Sequence, residues 1–266
     1  MGFDSLRLRF GVMILCLAVH IYLTLRVALS RFDWPDLPGN YATHAAVMAT
    51  FTFLHAWRYL GGSIAARFFA TALIVSWLFE QVGVATGAVY GPYHYTASLG
   101  PKLGHVPLAI PIAWSMMLYV CWSVTQLLVP ASCERPALGA AVTAIIGALI
   151  VTGWDAAIDP YFSVVGPELR WIWHGGGDYF GVPFANFRGW FATGITAFVL
   201  FALVTRGARF RDERATLAPA IIFALFALAT ICTTEPLPLR ITALCSMGLV
   251  AVLCFARLLV PERQAS

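Results

Sequence analysis

Residues 137–160 read ALGAAVTAIIGALIVTGWDAAIDP. No charged residue occurs from 137 to 154, and an apolar stretch of about 20 residues is the length that crosses a bilayer as a helix. The stretch then ends on two aspartates, Asp155 and Asp159. An ionised carboxylate at hydrocarbon depth is costly, so its presence is a functional hypothesis by default. The pattern occurs once more, with Glu80 in SWLFEQVGVATG at 76–87. Each carboxylate segment runs into a loop dense in Gly, Pro and aromatic residues. These are GAVYGPYHYTASLGPKLGHVP at 87–107 and PYFSVVGPELRWIWHGGGDYFGVPFANFRGW at 160–190.

Outward from these segments the whole chain is apolar. Of its 266 residues 60% are hydrophobic and 11% charged, against about 25% charged in an ordinary soluble domain. Eight spans are expected, at 10–29, 40–60, 64–86, 107–129, 137–158, 189–206, 217–234 and 239–259. The expected fold is therefore all-α: one polytopic membrane domain over residues 1–266 with no soluble module. Its two long aromatic loops lie on the same side, because two spans separate them. The first span lacks a small-residue cleavage site and reads as retained, not as a signal peptide. The net charge of +4 is no nucleic-acid signal, since the arginines sit beside the spans. With both termini cytoplasmic, eleven Lys and Arg lie inside and six outside. The positive-inside bias favours that orientation, in the cell membrane, with the aromatic loops on the outer side. Much of the bias comes from the run RGARFRDER at 206–214.

At 100° per residue Thr152, Asp155 and Asp159 fall within about 60° of one another on a helix. Two carboxylates about 6 Å apart in a poorly solvated site do not both ionise easily, so one is expected to hold a proton. Glu80 shares a face with Gly83 and Gly87, a small-residue track that serves either close helix packing or a ligand groove. Asp159-Pro160 also has a plainer reading as a helix end.

The six cysteines form no CxxC pair and indicate neither a disulfide framework nor a zinc site. His44 and His55 lie 11 residues apart, about 16 Å along one helix face. Only His20 is available to pair with them from another span, so core or interfacial hydrogen bonding is expected rather than haem or metal. His94, inside YGPYHY at 90–95, is a candidate proton relay or an interfacial residue. The loop aromatics Tyr90, Tyr93, Tyr95, Trp171, Trp173, Tyr179, Phe180, Phe187 and Trp190 suit a membrane interface. Their faces also stabilise a nearby cation.

At these residues the chain resembles the membrane carotenoid hydratase family. The resemblance rests on Glu80, Gly83, Gly87, YGPYHY at 90–95, Gly100-Pro101, Pro107, Pro111 and Trp114. It continues with Asp155, Asp159-Pro160, WIW at 171–173 and YFGVPFANFRGW at 179–190. It covers roughly residues 75–210, and the first two and last two spans match only as spans. The resemblance implies addition of water across the terminal C=C of an acyclic carotenoid end group, giving a tertiary alcohol, with no cofactor and no metal. The substrate would lie within the bilayer among membrane lipid.

Chemistry then assigns roles. A trisubstituted alkene must accept a proton before water captures the tertiary cation. A buried carboxylic acid is a suitable donor, and a second carboxylate can orient the water. The Asp155/Asp159 pair is assigned as donor, Glu80 as base, and His94 with Tyr93 as relay; the reverse assignment of acid and base stays open. The loop aromatics, with Gly83, Gly87, Trp114 and Asn186, are assigned to substrate contact. Two rival readings stand beside this one. In an intramembrane prenyltransferase, Asp155 and Asp159 would hold Mg²⁺ on a diphosphate. In a proton-coupled transporter or lipid-binding protein, the carboxylates would carry protons.

Overall fold

A computed structural model describes residues 3–29, 41–129 and 136–259. Cys133, Arg31, Arg135 and Arg263 lie outside the described residues. Among the described residues eight long helical segments appear where eight spans were expected, and seven of them qualify as membrane spans. The eight are α1 (Phe3–Ala28), α2 (Tyr41–Leu60), α3 (Gly62–Thr86), α4 (Ala109–Leu128), α5 (Pro136–Pro160), α6 (Phe184–Thr205), α7 (Leu217–Thr233) and a last segment made of α8 (Leu237–Ala243), a π-helical turn (Leu244–Gly248) and α9 (Leu249–Leu259). All but α2 are long and apolar enough to cross a membrane. The chain is thus an all-α polytopic membrane protein. α2 falls short in apolarity because His44, His55 and Arg58 interrupt it; it packs against α1, α3 and α4.

α4 runs through the centre, with most of its residues buried. The outer helices turn apolar side chains outward, as Ile74, Leu78 and Val82 do at every fourth position of α3. That exposed stripe is the surface a helix presents to hydrocarbon. The buried α2 residue His55 meets α4 through a 2.7 Å hydrogen bond between its Nδ1 and the Tyr119 hydroxyl. His20 and His44 pair at 2.8 Å between α1 and α2.

Two expected boundaries moved for local reasons. α6 starts at Phe184, not 189, because Pro183 provides an extended entry residue. α5 does not end at Asp159: it includes Pro160 and continues through a π-helical turn, Tyr161–Val165. A proline has no N–H for the carbonyl four residues back, which here is that of Ala156. The Tyr179 hydroxyl donates to that carbonyl instead, at 2.8 Å, so the helix carries on.

The two aromatic loops also hold short strands that the sequence did not reveal. β1 (Tyr93–Tyr95) pairs antiparallel with β4 (Trp171–Trp173), while β2 (Lys102–Leu103) pairs with β3 (Val106–Pro107). The first loop is anchored by Tyr90, which is wedged between α3 and α6. A Cβ on Gly83 would stand 2.6 Å from its ring, and one on Gly189 would stand 2.3 Å away. The small residue at 83 therefore seats a tyrosine ring and leaves no open ligand groove. Gly87 terminates α3 in the left-handed conformation, φ 69°, against Pro92. Gly83→Ala should overpack this seat and cost about 1–3 kcal/mol. A thermal melt in detergent should show a lowered midpoint, and an unchanged midpoint would contradict the seat.

Candidate active site

Strand alternation sets the site. Successive side chains of β1 point to opposite faces, so Tyr93 and Tyr95 are buried while His94 between them is exposed. Both buried hydroxyls donate to Glu80 Oε2, Tyr95 at 2.5 Å. Trp114 Nε1, from α4, donates to Oε1 at 2.9 Å. Opposite in the ladder, Trp171 faces Tyr95 and Trp173 faces Tyr93. Both indoles donate to Asp159 Oδ1, at 3.0 and 3.2 Å. One ladder thus carries the donors for two carboxylates.

Asp159 receives two further donors. Ser163, one turn on in the π-helical extension, gives its hydroxyl to Oδ1 at 2.7 Å. Asn186, from the first turn of α6, gives Nδ2 to Oδ2 at 2.8 Å and to Asp155 Oδ2 at 2.7 Å. The α5 face that joins Asp155 and Asp159 is therefore clasped by one amide. The remaining oxygen, Asp155 Oδ1, is buried with no hydrogen-bond partner among the described residues.

Between Glu80 and Asp159 lies a cavity of about 60 Å³, lined also by Asn186 and by the rings of Tyr90, Tyr93, Tyr95, Trp114, Trp171, Trp173 and Trp190. It has room for a few waters. Trp114 and Trp190 stack, with ring centroids 3.9 Å apart. Burial, and after it the Glu80 carboxylate, pushes the Tyr93 and Tyr95 phenols well above their ordinary value of 10.0. Burial does the same to Tyr90, whose hydroxyl pairs with Thr193 at 2.8 Å. The three phenols therefore stay hydrogen-bond donors at physiological pH.

Several residues singled out in the sequence lie elsewhere. His94 meets His174 at 2.7 Å on the exposed face and is not brought to Glu80. Tyr179, Phe180 and Phe187 form their own aromatic group, with centroids 4.8 and 5.0 Å from Tyr179. Through Tyr179 this group props the end of α5; none of the three lines the small cavity. Thr152 bonds back to the Ala148 carbonyl, away from the aspartates. Conversely, Ser163 and the apolar lining of Ile110, Ala113, Met117, Ile158 and Phe162 escaped the sequence reading. Ser163 lies four residues after Asp159, a helical neighbour that a helix end at Asp-Pro conceals.

Residues 41–253, most of the chain and every site residue above, match the family described as carotenoid biosynthesis protein. The chain belongs to that family. Within it, a stretch of 129 residues is 30% identical to bisanhydrobacterioruberin hydratase of Haloarcula japonica, covering 48% of this chain and 41% of that relative. The chain thus matches less than half the length of this curated family relative. No solved structure matches.

The ladder geometry separates neighbours in sequence. Tyr95→Phe removes a hydrogen bond to a buried carboxylate and should cost about 1.5–3 kcal/mol. His94→Ala, on the exposed face, should stay within about 0.5 kcal/mol of the parent. Paired unfolding measurements check this, and equal losses would overturn the facing of β1.

Proposed function

We propose that the chain is a carotenoid hydratase that adds water to the terminal double bond of an acyclic end group. The observation that carries this is the unequal clothing of three buried carboxylates, two of which, Glu80 and Asp159, line one small aromatic cavity. Glu80 and Asp159 accept three and four donated hydrogen bonds. Asp155 accepts one, and its Oδ1 has no partner among the described residues. An acid that delivers a proton must hold one, and a carboxyl oxygen that no donor occupies is the place for an O–H. The Asp155/Asp159 pair is therefore the proton donor, with Asp159 at the cavity wall.

The reaction balances without a redox partner. The pair gives a proton to the less substituted alkene carbon, leaving a tertiary cation. The rings of Trp114, Trp173 and Tyr93 line the cavity, where their π systems can stabilise that charge. Water adds to the cation and passes a proton to Glu80. Among the described residues Glu80 Oε1 accepts only from Trp114, so a lone pair remains to hold that water. Return of the proton to the aspartate pair completes the cycle, and the net change is alkene plus water to tertiary alcohol. Tyr93 and Tyr95 position Glu80 in this scheme, and His94 has no part in it.

The same hydrogen bonds favour hydration over Mg²⁺-diphosphate chemistry. Asp159 is ringed by N–H and O–H donors, the surroundings of an anionic acceptor, while a Mg²⁺ ligand turns its lone pairs to the ion. The arginine distribution supports placing both termini in the cytoplasm and the site at the outer side of the cell membrane.

Expression in a host that makes lycopene should yield a product heavier by one water, and growth in H₂¹⁸O should place the label in the product. Oxygen taken from O₂ instead would overturn the reading. Asp155→Asn and Glu80→Gln should each lower conversion about 10²–10⁴-fold. Full hydration by either variant would rule out the scheme.

A further inference from the structure

The cavity at the acids is too small for the body of a polyene. A second cavity of about 470 Å³ falls within the roughly 300–1,000 Å³ of sites that bury small molecules. It lies between α1, α2, α4, α5 and α7, on the other side of the α4–α5 pair from Glu80. Four side chains line both cavities: Ala113 and Met117 from α4, Ile158 from α5 and Phe162 from the π-helical turn that follows it. The partition between the two spaces is thus one layer of apolar side chains.

We infer that this second cavity holds the polyene arm of the substrate, and that the end group passes between α4 and α5 at Ala113 and Phe162 to reach the acids. The inference rests on the hydratase reading and adds the place where the substrate lies. Three observations carry it. The two cavities share a wall, so a linear molecule in the larger one aims its end at the smaller. No Asp, Glu, Lys or Arg occurs among the larger cavity's described lining residues, whose polar members include His44 and four threonines; such a lining suits an uncharged molecule and offers a diphosphate no lysine or arginine to pair with. It also reaches the protein surface at Val27 and Tyr161, which are 45% and 38% exposed, so a lipid-dissolved molecule has a way in from the side. Helices α1, α2 and α7, which the site chemistry leaves idle, thereby acquire a role.

The test fills the cavity from walls remote from the acids. Ala229→Phe on α7 and Ala45→Phe on α2 each place a ring in the space. Each should lower conversion of lycopene at least about tenfold, the scale on which apolar pockets discriminate size. Adding Phe226→Ala to Ala229→Phe returns volume and should restore conversion. Trp154 lines the cavity and is buried, which gives a second reading from a variant expected to fold. Lycopene in micelles should quench tryptophan emission less in Trp154→Phe than in the parent. Parent protein that adds no water to lycopene would overturn the proposed function itself. A hydrating parent whose folded Ala229→Phe and Ala45→Phe variants hydrate equally well, or whose quenching is unaffected by Trp154→Phe, would overturn this inference alone.

Discussion

A carboxylate placed in a hydrocarbon slab must be given hydrogen-bond donors by the protein, because the slab has none. That requirement organises the molecule. Glu80 and Asp159 sit on two helices, and most of their donors come from two loops far apart in sequence. The β1–β4 ladder joins those loops, so the groups that tolerate one acid are fixed by the groups that tolerate the other. The backbone of the ladder satisfies its own polar groups at the same time, which frees four aromatic side chains to look inward.

The fit between helix and loop is equally mutual. Tyr90 fills the space left by glycines on α3 and α6, and Tyr179 replaces the donor that Pro160 lacks. Each loop therefore repairs or plugs the helices it covers. The helices in turn hold the loop aromatics in one orientation, which a cation-stabilising site needs, since a ring helps only when its face is presented to the charge.

Much of this was legible in the residues. Composition revealed the membrane class, and the three carboxylates in apolar runs are residues that the structure buries. The helical wheel joined Asp155 to Asp159, as the Asn186 clasp confirms. What stayed hidden depended on partners distant in sequence. A three-residue strand leaves too short a pattern to read, so His94 was paired with Tyr93 as relay and Tyr95 was set apart, although it is the middle member that faces away. The glycine at 83 looked like a helix contact or a ligand groove because nothing in a single chain announces that a tyrosine seven residues later will occupy it. Ser163 was lost to the reasonable inference that a proline ends a helix, and Asn186 emerged from resemblance, without a geometric reason.

The antiparallel register of β1 and β4 has an evolutionary edge. Its side chains alternate with a period of two, so sliding either segment by one position turns every inward group out. Point replacements in this ladder alter one contact at a time, whereas a single inserted or deleted codon between Gly91 and Tyr95 would swap the phenols for an imidazole facing Glu80. Lineages that preserve the chemistry should therefore accept length variation at Gly175–Gly176, where the chain is open, while keeping the spacing from Glu80 to Tyr95 constant.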